Sequence, residues 1–347
     1  MFEKIVVVTR KTRLEALVAR FNTREQARFY IEHAGSDFAL YQIEHDTYQR
    51  AVDALLGKTG SLGRVQVIER GFLPNFIFTE QDLVVAIGQD GLVVNTAKYL
   101  DGQPIIAINP DPAHIDGVLL PYRVQDAQAV IAQAMQGRMT LRHITMAEAC
   151  LNDGQRMLAF NDLFIGVRTH TSARYHITFG AQSESQSSSG IIVSTGAGST
   201  GWLSSMFNMA AGIARLLEGQ TRPLAPFRLD WEDERLAFVV REPFISKTSR
   251  ADLVAGIITP ETELVLESHT PENGAIFSDG VEADYVSFNS GVIARIRVAQ
   301  KKTNLVVPGT VQPPKPTQAA HIPANRSSDR SPLARRGTPS SAKPGKA

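Results

Sequence analysis

Two rhythms of apolar residues divide this chain. In its first third, unbroken apolar runs alternate with stretches spaced three and four residues apart. Ile5–Val8, Val65–Glu69, Asp82–Ile87 and Pro104–Asn109 read as strands, the continuous ones as strands buried on both faces. Between them Leu14, Leu17, Val18 and Phe21 share one helical face. Tyr48, Val52, Leu55 and Leu56 share another, which Gly57 is expected to stop. Thr12-x-x-Glu15 and Thr23-x-x-Gln26 have the form of capping boxes. Leu92–Leu100 is predicted helical despite its valines, because Pro104–Asn109 returns as a strand soon afterwards. Asp126–Gln136 closes the region as a helix ending on Gly137.

From Met139 to Val307 short strand-like runs dominate, several alternating apolar and polar residues as half-buried antiparallel strands do. One helix, Thr200–Leu217, interrupts them. The expected fold is an α/β domain with a Rossmann-like parallel sheet over residues 1–138, then a β-rich domain over 139–307 whose last segment can pack back on the first. Residues 308–347 hold eight of the eighteen prolines and almost no large apolar side chain, so they are expected to be a disordered basic tail.

Composition narrows the function classes. The tail carries seven Lys/Arg against Asp329, which leaves the body about five charges negative in a chain of net charge +1. An acidic body and a tail without aromatics argue against nucleic-acid binding. No apolar run approaches the length of a membrane span. A single cysteine, Cys150, excludes internal disulfides and a cysteine-based zinc site, and MFEKIVVVTR enters a strand directly, so a reducing, cytoplasmic setting is expected. The eight histidines show no metal-ligand spacing.

Four short segments could carry chemistry. Gly88-Gln89-Asp90-Gly91 ends a buried strand, where ligands of open α/β sheets bind. Its glycines would admit a phosphate to the backbone amides, and Asp90 is a base, a holder of a metal–phosphate complex, or the cap of the next helix. Ser194-Thr195-Gly196-Ala197-Gly198-Ser199-Thr200-Gly201-Trp202 joins a strand to a helix start, which is either an anion site or a small-residue cap. Ala197–Gly201 also reads as a degenerate nucleophile elbow, with Ser199 as nucleophile and Asp252 and His269 as partners. Asn161-Asp162 interrupts an apolar run, as a bulge or as a pair aimed at a ligand. Ser278-Asp279-Gly280 has the form of a β-turn. The GKT at Gly57–Thr59 is not a P-loop, since Val52 stands where its upstream glycine belongs.

Taken in order, GQDGL, ND, TGAGSTGW and SDG resemble the pattern of NAD kinases. KTRLEALVARF, INPDPAHIDGVLL, FNDLFIG, SSG before IIVS, and REP are similar to the branch that includes the mitochondrial members. The resemblance covers residues 4–307. It implies that Asp90 is the general base activating the adenosine-ribose 2′-hydroxyl of NAD. It implies that Asn161, Asp162, Thr200, Gly201, Trp202 and Asp279 bind NAD. Gly88, Gly91, Thr195, Gly198 and Ser199 would form the phosphate and nucleotide loops. It further implies a sandwich-like second domain, ATP or polyphosphate as donor, Mg²⁺ bound mainly through the donor phosphates, and a homo-oligomer, dimer or tetramer. Gln89 replaces a glycine, Leu92 a threonine, Asp162 a glutamate, and Ser189 the acid of many bacterial members. Gln89 at a positive φ would be strained, and Leu92 removes a hydroxyl that could touch phosphate. Two readings stand beside the kinase: an NAD(H)-binding regulator with a weakened donor site, and a kinase of the same fold for another hydroxyl.

Overall fold

The computed structural model describes residues 2–218, 227–282 and 284–309; the expected disordered tail lies outside the described residues from residue 310 onward. The chain opens with β1 (Lys4–Thr9), helices α1 (Arg13–Phe21), α2 (Arg24–His33) and α3 (Phe38–Thr59), and β2 (Arg64–Glu69). A 3₁₀ turn at Arg70–Asn75 leads to β3 (Asp82–Ile87), α4 (Asp90–Ala97), β4 (Pro104–Asn109), β5 (Tyr122–Arg123) and α5 (Ala127–Met135). Strands then dominate: β6 (Thr140–Leu151), β7 (Arg156–Ala159), β8 (Asp162–Val167), β9 (Ala173–Phe179), β10 (Gln182–Ser188) and β11 (Ile191–Ser194). A 3₁₀ turn at Ala197–Thr200 opens α6 (Trp202–Glu218). Then come β12 (Leu236–Val240), β13 (Ala255–Ile258), β14 (Leu264–Ser268), β15 (Gly274–Ser278), β16 (Val286–Ser287) and β17 (Ile293–Val307).

The continuous apolar strands are covered on both faces. β2, β1, β3 and β4 pair in parallel in that order. On one face Ile5, Val7, Leu83, Val85 and Ile87 pack with Tyr48, Val52 and Leu55 of α3 and Ile131 of α5. On the other, Val6, Val8, Val84 and Ala86 pack with Leu92, Val93 and Val94 of α4 and with Phe160. In β1, β3 and β4 alternate residues thus serve different cores, which keeps their central positions apolar, whereas the edge strand β2 is polar and exposed at Arg64 and Gln66.

Sheet order joins the two halves of the chain. The eleven-stranded sheet runs β10-β9-β14-β17-β4-β3-β1-β2, with β5 added at β4, β6 at β17 and β7 at β6. The long β17 takes antiparallel β14 at its start and parallel β4 at Asn304 and Leu305, while β6 follows its other edge. A second, six-stranded antiparallel sheet runs β13-β12-β11-β8-β15-β16. Inward residues of β6, β9, β14 and β17 meet those of β8, β11, β12 and β15 in one core, built around Tyr175, Phe238 and Phe288. The result is an α/β sheet continuous with one layer of an antiparallel sandwich.

Three local expectations need correction. α3 runs through Gly57 to Thr59, because a Cβ at Gly57 would meet nothing within 4 Å and Thr59 hydroxyl bonds close the last turn. Thr12 forms a full capping box with Glu15, whereas Thr23 only accepts the Gln26 amide. The helix expected from Thr200 begins at Trp202, since a 3₁₀ turn occupies the preceding residues.

Candidate functional site

β3, the buried centre of the parallel sheet, delivers the GQDG turn at its carboxyl end. Gln89 is the N-cap of α4, with φ −108° and no side-chain capping bond. That φ is ordinary for any residue, so Gln89 carries no strain. Asp90 is the first residue inside the helix, where its charge meets the positive end of the dipole; the helix-cap reading of Asp90 is thereby corrected. Its carboxylate accepts the Leu119 amide at 2.8 Å and the Val118 amide at 3.3 Å.

The segment presenting those amides is built by Asn109, which accepts the Asp111 amide and donates to Ile115 O at 2.8 Å. Gly117 has φ +62°, and a Cβ there would stand 2.7 Å from Asn109 Nδ2, so the turn admits only glycine. INPDPAHIDGVLL is therefore the clamp that fixes the Asp90 carboxylate.

The glycines of GQDG serve separate purposes. A Cβ on Gly88 would crowd the Leu92 side chain at 2.9 Å, whereas a Cβ on Gly91 would meet nothing within 4 Å. Gly91 thus leaves open space beside Asp90. Leu92 is 2% exposed and belongs to the core with Phe160. It packs beneath the turn.

Asn161 and Asp162 lie at the step from β7 to β8, gripped from two sides. The Asp279 carboxylate accepts the amides of Phe160, Asn161 and Asp162 at 3.1, 2.6 and 3.3 Å, with Asp279 itself at φ +55°. Thr195 Oγ1 donates to Phe160 O at 2.6 Å, and the Thr195 amide donates to Asn161 O at 2.9 Å. Such side-chain bonds to main chain keep the step in one conformation. The side chains of Asn161 and Asp162 make no hydrogen bond within the described residues, so their polar atoms remain for a ligand.

The small residues after β11 have a packing reason. A Cβ on Gly196 would stand 1.8 Å from Asp230 O, and one on Gly198 would stand 2.1 Å from Asn161 O. These glycines let the turn press onto the Asn161 backbone. The buried Ser199 hydroxyl donates to Gly196 O at 2.7 Å and lies 3.4 Å from Leu229 O. A hydroxyl bonded to main chain, with no histidine partner among the described residues, is not an activated nucleophile, which argues against the acyl-transfer reading.

Thr200 and Gly201 are exposed, and Trp202 is half-buried. The Trp202 ring stacks on Phe164 with centroids 5.7 Å apart and planes within 8°, and Phe277 stacks on Phe164 with centroids 4.8 Å apart. The Arg241 guanidinium lies 5.3 Å from the Trp202 centroid. Phe164 shares a strand face with Asp162, so the aromatic group continues from the carboxyl along β8.

The electrostatics single out the pair. Burial, and secondly the Asp279 charge, push the Asp162 carboxyl up to about 7. Burial also raises Asp279, against the opposing pull of its three amide donors and of Lys98.

The four motifs share one neighbourhood. Phe160 and Ala197 pack in the core containing Leu92, Val93 and Val94 of α4, Gly198 abuts Asn161, and Asp279 holds Asn161. Lys98, just past α4, donates to Ser278 Oγ at 2.8 Å and so ties the SDG turn to the helix of Asp90.

Arg10 escaped the sequence reading. It follows β1, its Cδ would lie 3.6 Å from a Cβ on Gly88, and its buried Nε has no hydrogen-bond partner among the described residues. Tyr48 orients it, receiving the Arg10 amide bond and lying under the guanidinium at 4.8 Å, while Glu44 accepts from Nη2 at 3.1 Å. A lone arginine after a strand carries no signal in sequence; its place beside Gly88 comes from β1 and β3 being neighbours. Among the described residues no group of three His, Cys, Asp or Glu is placed to hold a metal.

No protein-family profile matches the chain. An NAD kinase of Saccharolobus solfataricus is 29% identical over 121 residues, which span 35% of this chain and 46% of that protein, so the match reaches less than half of the relative's length. Among solved structures, yeast NADH kinase complexed with NADH has a TM-score of 0.50 at 14% identity, covering 89% of this chain and 84% of the yeast chain. An NAD kinase from Archaeoglobus fulgidus in complex with ATP has a TM-score of 0.50 at 16% identity, covering 87% and 92%. The fold is that of these kinases.

Proposed function

We propose that this chain is an NAD kinase, transferring the terminal phosphoryl group of ATP to the adenosine-ribose 2′-hydroxyl of NAD. The observation that supports the proposal is that α4, which opens on Asp90, shares a core with Phe160 and is tied through Lys98 to the Ser278 turn beside the Asn161-Asp162 step, with backbone bonds to the Asp90 carboxylate and to that step. The likeness to NAD(H) kinases, over most of the chain in structure and over a third of it in sequence, supports the same reading.

In this reading Asp90 takes the proton of the attacking 2′-hydroxyl, as a positioned carboxylate does in general base catalysis. Its two backbone donors fix its place, and the open side at Gly91 admits the reacting groups. Asn161 and Asp162 receive the ribose hydroxyls and amide edge of NAD, and Trp202 with Thr200 and Gly201 borders the dinucleotide. Thr195, Gly198, Ser199 and Asp279 act one step back, by holding the backbone of that step. Arg10 meets the donor phosphates beside Gly88, where its unbonded Nε offers a charge-assisted bond. Mg²⁺ is carried chiefly on those phosphates, the usual arrangement for a hard ion that keeps its waters. We further propose a two-domain division near residue 138, a homo-oligomer, and a cytoplasmic setting.

Gln89 and Leu92, the residues that motivated a regulator with a weakened donor site, are respectively unstrained and buried, and neither favours that reading. The test is purified protein incubated with NAD, Mg²⁺ and either ATP or polyphosphate, with NADP measured by an NADP-specific dehydrogenase. NADP formed with either donor is the expected result. No NADP with both donors, from protein that binds NAD, would overturn the proposal.

A further inference from the structure

A cavity of about 770 Å³ opens where the end of α4 meets the edges of β7, β16 and β17. That volume is typical of small-molecule sites. None of Asp90, Asn161, Asp162, Thr200 and Trp202 lines it; it touches the proposed kinase site only at Ser278.

Four cations face it, Lys98, Arg156, Arg297 and Lys301, against three carboxylates. The pairing among them is incomplete. Arg297 makes close contacts, at 2.9 and 2.8 Å, to the Glu148 carboxylate, and Arg156 reaches the same carboxylate at 3.6 Å. Two arginines therefore share one acid. Lys301 stands 3.8 Å from Asp101, beyond hydrogen-bond range. Lys98 is the decisive group: its side chain is 7% exposed, one ammonium proton goes to Ser278 Oγ, and the Asp284 carboxylate lies 3.8 Å away. The Lys98 charge also acts on the Asp279 carboxylate, yet among the described residues the three ammonium protons make one hydrogen bond, and an almost buried ammonium is costly until its donors are used.

We propose that this cavity binds a small organic phosphate, its anionic group between Lys98 and Arg297 and its apolar body against Met157, Leu158 and Val286. A phosphate has enough oxygens to accept from both an ammonium and a guanidinium that line the same cavity, which a single carboxylate does poorly. The proposal does not rest on the kinase reading. Its consequence for that site runs through Lys98, since a ligand that draws the ammonium away from Ser278 loosens the tie between α4 and the Asp279 turn.

Cys150 provides a reporter beside three of the lining residues. It is the chain's single cysteine, partly buried, with its thiol beside Glu148, Arg297 and Arg156. Its alkylation by neutral iodoacetamide, at alkaline pH and constant ionic strength, is followed by mass spectrometry. AMP is the probe, pyrophosphate and adenosine are the comparison arms, and NAD is kept saturating throughout so that the other site stays constant. AMP should slow alkylation saturably, with pyrophosphate weaker and adenosine without effect. Lys98→Met should raise the AMP concentration needed by about tenfold or more, the loss of one charge-assisted bond, and Lys98→Arg should recover most of it. If Lys98→Met does not fold, Arg297→Gln in the same cavity carries the same expectation. Absence of saturable protection by AMP, or equal protection in a folded Lys98→Met protein, would overturn the site. Adenosine protecting as well as AMP would overturn the phosphate, and pyrophosphate protecting as well as AMP would overturn the organic body.

Discussion

Replacing Asp162 with asparagine should stabilise the fold above neutral pH and leave it unchanged in acid. The carboxyl is half-buried, has no hydrogen-bond partner among the described residues and faces the Asp279 charge, and its folded pKa of about 7 lies well above the ordinary 3.8. The folded state therefore holds a proton that the unfolded chain gives up from about pH 4 upward. Stability from this group is full below that value and falls as pH rises toward about 7, where the folded state ionises too. About three pH units correspond to roughly 4 kcal/mol, and water reaching the rim reduces this to about 2–4 kcal/mol. Asparagine keeps the shape without the charge, so urea unfolding of Asp162→Asn should show a gain of about that size at pH 8 that vanishes near pH 3. A stability offset that stays constant from pH 3 to about pH 8, or a variant less stable than wild type at the upper end, would refute the argument. The same variant should bind NAD more weakly above neutral pH, because the ionised carboxylate is the better acceptor for ribose hydroxyls. A site that costs stability until its ligand arrives accounts for the pair.

Three further outcomes follow from the geometry. Gly198→Ala, whose Cβ would stand 2.1 Å from Asn161 O, should lose about 2–4 kcal/mol in thermal or urea unfolding and lose NAD binding with it. Gln89→Gly should change stability by less than about 0.5 kcal/mol, because φ is already −108° and glycine is an acceptable N-cap; a large rescue or loss of turnover would contradict the unstrained turn. Arg10→Met should raise the KM for ATP by about tenfold while leaving that for NAD within about twofold, and the reverse pattern would place Arg10 elsewhere.

Much of the fold was legible because burial on two faces writes itself as unbroken apolar runs. Val84 and Val85 serve opposite cores, so neither can be polar, and β3 stands out for that reason. β10 did not, since its inward residues Glu184, Gln186 and Ser188 are polar. They are satisfied by the Leu253 amide, by each other and by the Tyr175 hydroxyl, a network that pattern alone cannot anticipate. That the last segment can pack back on the first domain is legible, but β4 as the partner of β17 is not, because only two residues make the pairing across a separation of some two hundred positions.

The site divides in the same way. GQDG and the Asn161-Asp162 step were visible as turns that break apolar runs. What holds them was not: the Val118 and Leu119 amides, the Asp279 carboxylate as a backbone acceptor, and Lys98 all act through contacts distant in the chain. The glycines of TGAGS read in sequence as an anion site or a helix cap, and in the fold they are required by Asn161 O and Asp230 O.

The most direct measurement compares Asp90→Asn with wild type in the NADP-forming assay, alongside calorimetric binding of NAD to both proteins. The account predicts a fall in kcat of about 10²- to 10⁴-fold, with NAD affinity within about threefold, because the proton acceptor goes while the binding step at Asn161 and Asp162 stays. Wild-type turnover in the variant would contradict it.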